Sequence, residues 1–212
     1  FSLDKPRHIA YISIVTEKEN MMTDKIILTD CDGVLLDWEA AFHDWMRAKG
    51  YDKVVDAVYD LSVAYGMPKA EAKDHVREFN ESAWMAFLPA FRDARSGVAT
   101  LVEAGYKFVC ITSLSLDPNA AKLRMKNLED VFGKGVFTEL ICLDTGADKD
   151  EVLARYTGSE LFWIEDKPEN AACGTKFGLK SLLISHAHNA DYVNEDVVRV
   201  ADWAEITKVV LG

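Results

Sequence analysis

Four short apolar runs recur along the chain: Ile26-Ile27-Leu28, Phe108-Val109-Cys110-Ile111, Leu161-Phe162-Trp163-Ile164 and Ser181-Leu182-Leu183-Ile184. Short runs that do not alternate and are closed by polar residues are the pattern of strands buried on both faces. A weaker strand is predicted over residues 136–143. Between these runs, 3.6-residue spacing predicts helices over residues 96–104, 118–132, 150–156 and 170–177. Gly105, Gly133 and Gly178 stand where three of them should stop, and Asp117-Pro118 supplies an N-cap and first turn. Strands alternating with helices predict an α/β, Rossmann-like parallel sheet with helices on both faces.

One interval breaks the rhythm. Residues 37–91 hold no strand pattern and are far longer than a single crossover requires. Trp38, Phe42, Trp45 and Met46 fall at helical spacing, as do Val54, Val55, Val58 and Leu61, and a third helix is predicted from Pro68 through Val76, Phe79 and Trp84. This reads as a small helical insertion, a lid on a core made of residues 22–36 and 92–212. Residues 1–21 read as an N-terminal extension with a short strand over residues 8–15. Charged residues before that strand, and the missing small-residue cleavage site, argue against a secretion signal.

Composition narrows the function. The 212 residues are 49% hydrophobic and 28% charged, enough apolar material for one domain with an insertion. Lys and Arg number 24 against 35 Asp and Glu, for a net charge of −11. A field of that sign repels a phosphate backbone, so tight binding of a nucleic-acid polymer is not expected. A small anionic substrate needs a local cation. Cys31, Cys110, Cys142 and Cys173 are too widely spaced for a zinc or redox pair and read as buried apolar residues, implying a reducing, cytoplasmic setting. No apolar run approaches the ~18 residues of a membrane helix, so a soluble protein is expected. The oligomeric state is left open.

In an open parallel sheet, ligands bind beyond the carboxyl ends of the strands. The first predicted strand leads into Thr29-Asp30-Cys31-Asp32-Gly33, the second into Thr112-Ser113, and the fourth into Glu165-Asp166-Lys167-Pro168-Glu169-Asn170. Asp148-Lys149-Asp150 precedes that fourth strand. An Asp-x-Asp-Gly is by itself as well explained by a turn. Here Asp30 closes a buried strand, and carboxylates gathered at one edge repel unless a divalent cation sits among them. Asp30, Asp32 and Asp166 are hard oxygen ligands suited to magnesium (Mg2+) and not to zinc. A strand-end carboxylate can attack a phosphoryl group, which makes Asp30 the candidate nucleophile and Asp32, two residues on, the candidate acid and base. Thr112 and the following Ser113 are candidates to hold phosphoryl oxygens, with Lys149 neutralising charge.

These residues resemble the haloacid dehalogenase superfamily. Leu28-Thr29-Asp30-Cys31-Asp32-Gly33-Val34-Leu35-Leu36-Asp37 is similar to its first motif, Ile111-Thr112-Ser113 to the second, Lys149 to the third, and Ile164-Glu165-Asp166 with Asn170 to the fourth. The resemblance implies a haloacid dehalogenase-like fold with a C1-type cap, Asp30 as nucleophile, Asp32 as acid and base, and Asp166 as a magnesium ligand. Asp at both positions of the first motif implies a phosphatase rather than a dehalogenase. The chain departs from the pattern at Asn170, where Asp is more frequent, and at Glu165, where Gly or Asp is usual. Either Glu165 or Asn170 could assist Asp166, and Lys167 rivals Lys149.

The run Ala121-Lys122-Leu123-Arg124-Met125-Lys126-Asn127-Leu128 and His188-Asn189 loosely resemble the 5'(3')-deoxyribonucleotidase branch. That likeness implies a nucleotide monophosphate and cap aromatics against its base. Phe42, Trp45 and Trp84 are candidates for that contact, though their spacing suits the cap core better. His186 and His188 lack a third metal ligand in sequence and read as a loop contact at the site's edge. Arg92 and Arg95 could meet phosphate or simply face solvent. A phosphoaspartate receiver, a silent scaffold of the same fold and a phosphomutase are the competing readings.

Overall fold

The computed structural model describes residues 9–13, 25–56 and 58–212. A seven-stranded sheet runs in the order β1-β4-β3-β2-β5-β6-β7. Its strands are β1 Ile9–Ser13, β2 Lys25–Thr29, β3 Tyr106–Thr112, β4 Phe137–Leu143, β5 Phe162–Glu165, β6 Lys180–Ile184 and β7 Val197–Val200. All neighbours are parallel except β1, which pairs antiparallel with β4. Helices α4 Ala94–Glu103, α5 Pro118–Phe132, α6 Asp150–Leu153, α7 Pro168–Lys176 and α8 Trp203–Leu211 complete the core.

Alternate strand residues feed the two faces. Ile27, Phe108, Cys110, Leu140, Ile164 and Leu182 join one apolar cluster, with Val98, Leu128 and Trp203 from α4, α5 and α8. Leu28, Val109, Ile111, Ile141 and Trp163 join the other, with Val152 and Cys173 from α6 and α7. Burial on both faces is why these strands read as unbroken apolar runs. All four cysteines are buried and free.

The edges of the sheet go beyond the sequence reading. The short strand expected over residues 8–15 is present as Ile9–Ser13, and it joins the sheet as an edge strand by pairing with Glu139–Leu143; residues 1–8 and 14–24 lie outside the described residues. At the opposite edge, β7 and α8 were not predicted. β7 is short and only its first and last residues are buried, because it packs at the rim. Its helix is nonetheless well specified: Asp202 accepts from Glu205 N at 2.9 Å, and Trp203 Nε1 donates to Val34 O at 2.8 Å. That last bond ties α8 to the loop after β2.

The insertion contains α1 Trp38–Ala48, α2 Leu61–Ala64, α3 Lys69–Asn80 and a 3-10 turn at Ala83–Ala86. Its entry and exit are paired, Asp37 N donating to Pro89 O and Phe91 N to Leu35 O, both at 2.9 Å. Trp38 and Phe42 stack at 4.6 Å, and Phe42 meets Phe79 edge-on at 5.3 Å. The helix predicted through Val54, Val55 and Val58 does not form. Val54 and Val55 instead donate to Ala64 O and are exposed. Their β-branched side chains disfavour helix, and Asp60 starts a new helix by accepting from Ser62 N at 2.9 Å. The third predicted helix stops at Asn80, short of Trp84.

Among the described residues, no helix is long and apolar enough to cross a membrane.

Candidate active site

Strand order reverses about β2, whose neighbours β3 and β5 belong to opposite halves of the sheet. Such a switch point opens a crevice at the carboxyl ends of the strands. Asp30 sits there, its N–H donating to Ile164 O at 2.8 Å and the residue 8% exposed. A cleft of about 1290 Å3 lies over it, roofed by the insertion.

Lys149, at the N-terminus of α6, reaches Asp30 Oδ1 at 2.7 Å and Glu165 Oε1 at 3.0 Å. Lys167 lines the cleft, but Lys149 is the ammonium against Asp30. Glu165 is wholly buried. Its Oε1 also accepts from Asn170 Nδ2 at 2.5 Å, and its Oε2 from Asp166 N at 2.8 Å. Glu165 therefore anchors Lys149 and is itself held by Asn170. Thr112 ends β3, buried at the cleft wall. Ser113 lines the cleft too, and its hydroxyl donates to Ala147 O at 2.7 Å, pinning the loop that carries Lys149.

Donor oxygens of Asp30, Glu165 and Asp166 lie within 4.8 Å of one another. One ammonium against three carboxylates leaves an excess of negative charge. Burial, then Glu165, pushes Asp30 well above the usual carboxylate range, and burial followed by Glu165 and Asp30 does the same to Asp166. Burial also opposes the charge on Glu165, but Lys149 and the hydrogen bonds around it hold that group low. Lys149 is raised: burial is outweighed by Asp30 and Glu165. With Glu165 engaged by Lys149, Asn170 and the backbone, Asp30 and Asp166 remain as hard donors, a set that fits a divalent cation of the magnesium class with water completing its shell.

Asp32 stands apart from that cluster. Arg124, buried in α5, donates to Asp32 Oδ1 at 2.5 Å and Oδ2 at 3.2 Å. The sequence reading assigned Arg124 no role. Its signal is a basic residue on the face of α5 otherwise formed by Ala120, Ala121 and Leu128. Across the cleft, His186 Nε2 donates to Gly33 O at 2.7 Å, and burial holds its imidazole below the usual range. His188 Nε2 lies 3.2 Å from Asp166 O. Asp166 supplies the third donor that the His-x-His pair lacked in sequence, all three groups coming within 4.8 Å. Gly33 is required where it is: its φ is +75°, and a Cβ there would fall 2.7 Å from Asp166 Oδ2.

The other candidates sort by position. Phe42 and Trp45 are cap core, Trp84 is exposed outside the cleft, and the cleft aromatics are Trp38, Tyr59 and Phe91 instead. Arg92 donates to Ala201 O at 2.9 Å, and neither it nor Arg95 lines the cleft.

No family model and no curated protein sequence matches the chain. Solved structures do. A haloacid dehalogenase-like family hydrolase from Streptococcus pneumoniae superimposes with a TM-score of 0.64 at 14% identity, over 88% of this chain and 98% of that one. A predicted phosphatase from Clostridium acetobutylicum gives 0.61 at 14% identity, over 89% and 98%. The L-2-haloacid dehalogenase of Xanthobacter autotrophicus, with chloropropionic acid covalently bound, gives 0.56 at 13% identity, over 90% and 99%. The chain has the haloacid dehalogenase-like fold.

Proposed function

We propose that the protein is a magnesium-dependent phosphomonoester hydrolase working through an aspartyl phosphate. The observation that carries this reading is the carboxylate of Asp30 at the floor of a capped cleft, held by Lys149 and facing Asp166. Asp30 attacks phosphorus, the new acyl-phosphate bond forms as the ester P–O bond breaks, and Asp32 supplies the proton taken by the leaving alkoxide. In the second half, water attacks the same phosphorus, Asp32 takes its proton, and Asp30 departs as carboxylate. For either task one oxygen of Asp32 must turn from Arg124 toward the substrate. Thr112 bounds the phosphoryl pocket, and Lys149 fixes Asp30 and offsets charge. Magnesium held by Asp30 and Asp166 would neutralise the substrate's phosphoryl oxygens in a strongly acidic protein.

Nucleotide monophosphates belong in the first substrate panel, because Trp38 and Tyr59 offer aromatic faces in the cleft. The test is phosphate release from p-nitrophenyl phosphate and a panel of phosphomonoesters with magnesium. Release by wild type, lost in EDTA and in Asp30→Asn, is expected. Activity kept in either condition overturns the mechanism, and transfer of the phosphoryl group to a second position of the substrate would make the protein a mutase.

A further inference from the structure

The cap closes the cleft with one face of α3, on which Lys69, Ala72, Lys73, Val76, Arg77 and Asn80 all line the cavity. The three cations recur every four residues, so they form a stripe roughly 12 Å long on one side of the helix. Asn80 fixes the inner end of α3, its Nδ2 donating to the core carbonyl of Leu114 at 2.9 Å. The stripe thus runs outward from the catalytic floor.

In a chain of net charge −11 this wall is an exception. Its cations are loosely held. Lys69 lies 3.4 Å from Asp60, and Arg77 lies 3.5 Å from Asp144, all four side chains being largely solvated. Lys73 has no ion-pair partner among the described residues. The acids nearby are mostly committed: Asp37 caps α1, Glu39 pairs with Lys53 at 2.8 Å, and Asp60 caps α2. Asp74, beside Lys73, is the remaining acid on α3 that lines the cleft. A cleft of about 1290 Å3 is also larger than a phosphoryl group needs.

We propose that Lys73 and Arg77, with Lys69 at the outer end, bind a second anionic group of the substrate, so that the preferred phosphomonoester carries a carboxylate or a second phosphate remote from the scissile one. This assignment rests on the phosphohydrolase reading and adds to it a class of substrate. The acidic floor handles the scissile phosphoryl group with its cation, and the stripe selects the far end by charge.

Three alkyl phosphates with like leaving groups test it: hexyl phosphate, hexanediol bisphosphate and ω-phosphohexanoate. Each solvated ion pair is worth up to about fivefold in affinity, so kcat/KM should favour the two substrates with a second anionic group by about fivefold or more, chiefly through KM. The preference should shrink with added salt, fall at least about threefold in Lys73→Ala and survive in Lys73→Arg. The two substrates with a second anionic group distinguish a carboxylate from a phosphate. A ratio near one in wild type, or one unchanged in Lys73→Ala and in Lys73→Ala with Arg77→Gln, overturns the proposal. If none of the three releases phosphate, the hydrolase reading has failed separately. Thermal shifts of wild type and Lys73→Ala with hexyl phosphate and hexanediol bisphosphate then decide the second-anion site: an equal shift by both compounds rejects it.

Discussion

Lys149 Nζ lies 2.7 Å from Asp30 Oδ1, with 2% of the lysine side chain exposed. The same ammonium serves Glu165 at 3.0 Å and sits 5.2 Å from the centre of the Trp163 ring. Among the described residues it is the one ammonium bonded to Asp30 and Glu165. Breaking such a contact strands charge: Lys149→Met should cost about 3–5 kcal/mol, because Asp30 and Glu165 would remain buried without it. Urea denaturation reads this directly, and an unchanged midpoint would show that the cluster does not depend on the lysine.

Stability of the metal-free protein should fall as pH rises above the ordinary carboxylate range. Asp30 and Asp166 are both raised on folding, so the native state holds protons that the unfolded chain has lost. Their contribution is complete below about pH 4 and disappears as pH passes through the folded values. Glu165, held low, has the opposite slope and acts at lower pH. Magnesium should remove the decline, and at a hundredfold excess over its dissociation constant should add about 2.7 kcal/mol. Melting curves across pH, with and without magnesium, check both. A cation response that persists in Asp166→Asn would place the ion elsewhere.

Gly33→Ala should damage the site more than the fold. The added methyl would fall 2.7 Å from Asp166 Oδ2 at a backbone φ of +75°. A loss of about 1–3 kcal/mol together with a weaker magnesium response is expected. Gly97→Ala is the contrasting variant: its Cβ would lie 2.5 Å from Trp203 Cβ, in the core under α8. Comparable destabilisation there should leave magnesium affinity intact, as titration of the folded protein would reveal.

Asp32→Asn should lower kcat by about two to four orders of magnitude, the usual range for loss of a general acid or base. Arg124→Met should lower kcat less and leave KM nearly as it was, since the arginine touches Asp32 rather than the cleft floor. Steady-state kinetics on p-nitrophenyl phosphate separates the two. Equal effects of both variants on KM alone would remove Asp32 from the chemistry.

The central strands were legible because β2, β3, β5 and β6 are buried on both faces and so escape the ambiguity of alternating patterns. The convergence of Asp30, Thr112, Lys149 and Asp166 at one edge followed from strand order. Less was written in local pattern at the edges. β7 buries only its end residues, and β1 gains its place by pairing with distant β4. Residues 54 and 55 mimic a helix by spacing, yet their N–H groups are taken by Ala64. Pairwise contacts across the chain were the least readable: nothing near Asp32 announces Arg124, and only the fold shows Glu165 and Asn170 bonded to each other.

The most direct measurement is chemical trapping of the intermediate. Wild-type protein turning over p-nitrophenyl phosphate with magnesium is quenched and reduced with borohydride, which converts an acyl phosphate to an alcohol. The account predicts homoserine at position 30, found by peptide mass spectrometry and dependent on substrate. Substrate-dependent phosphate release with unmodified Asp30, or with the label on another residue, would contradict it.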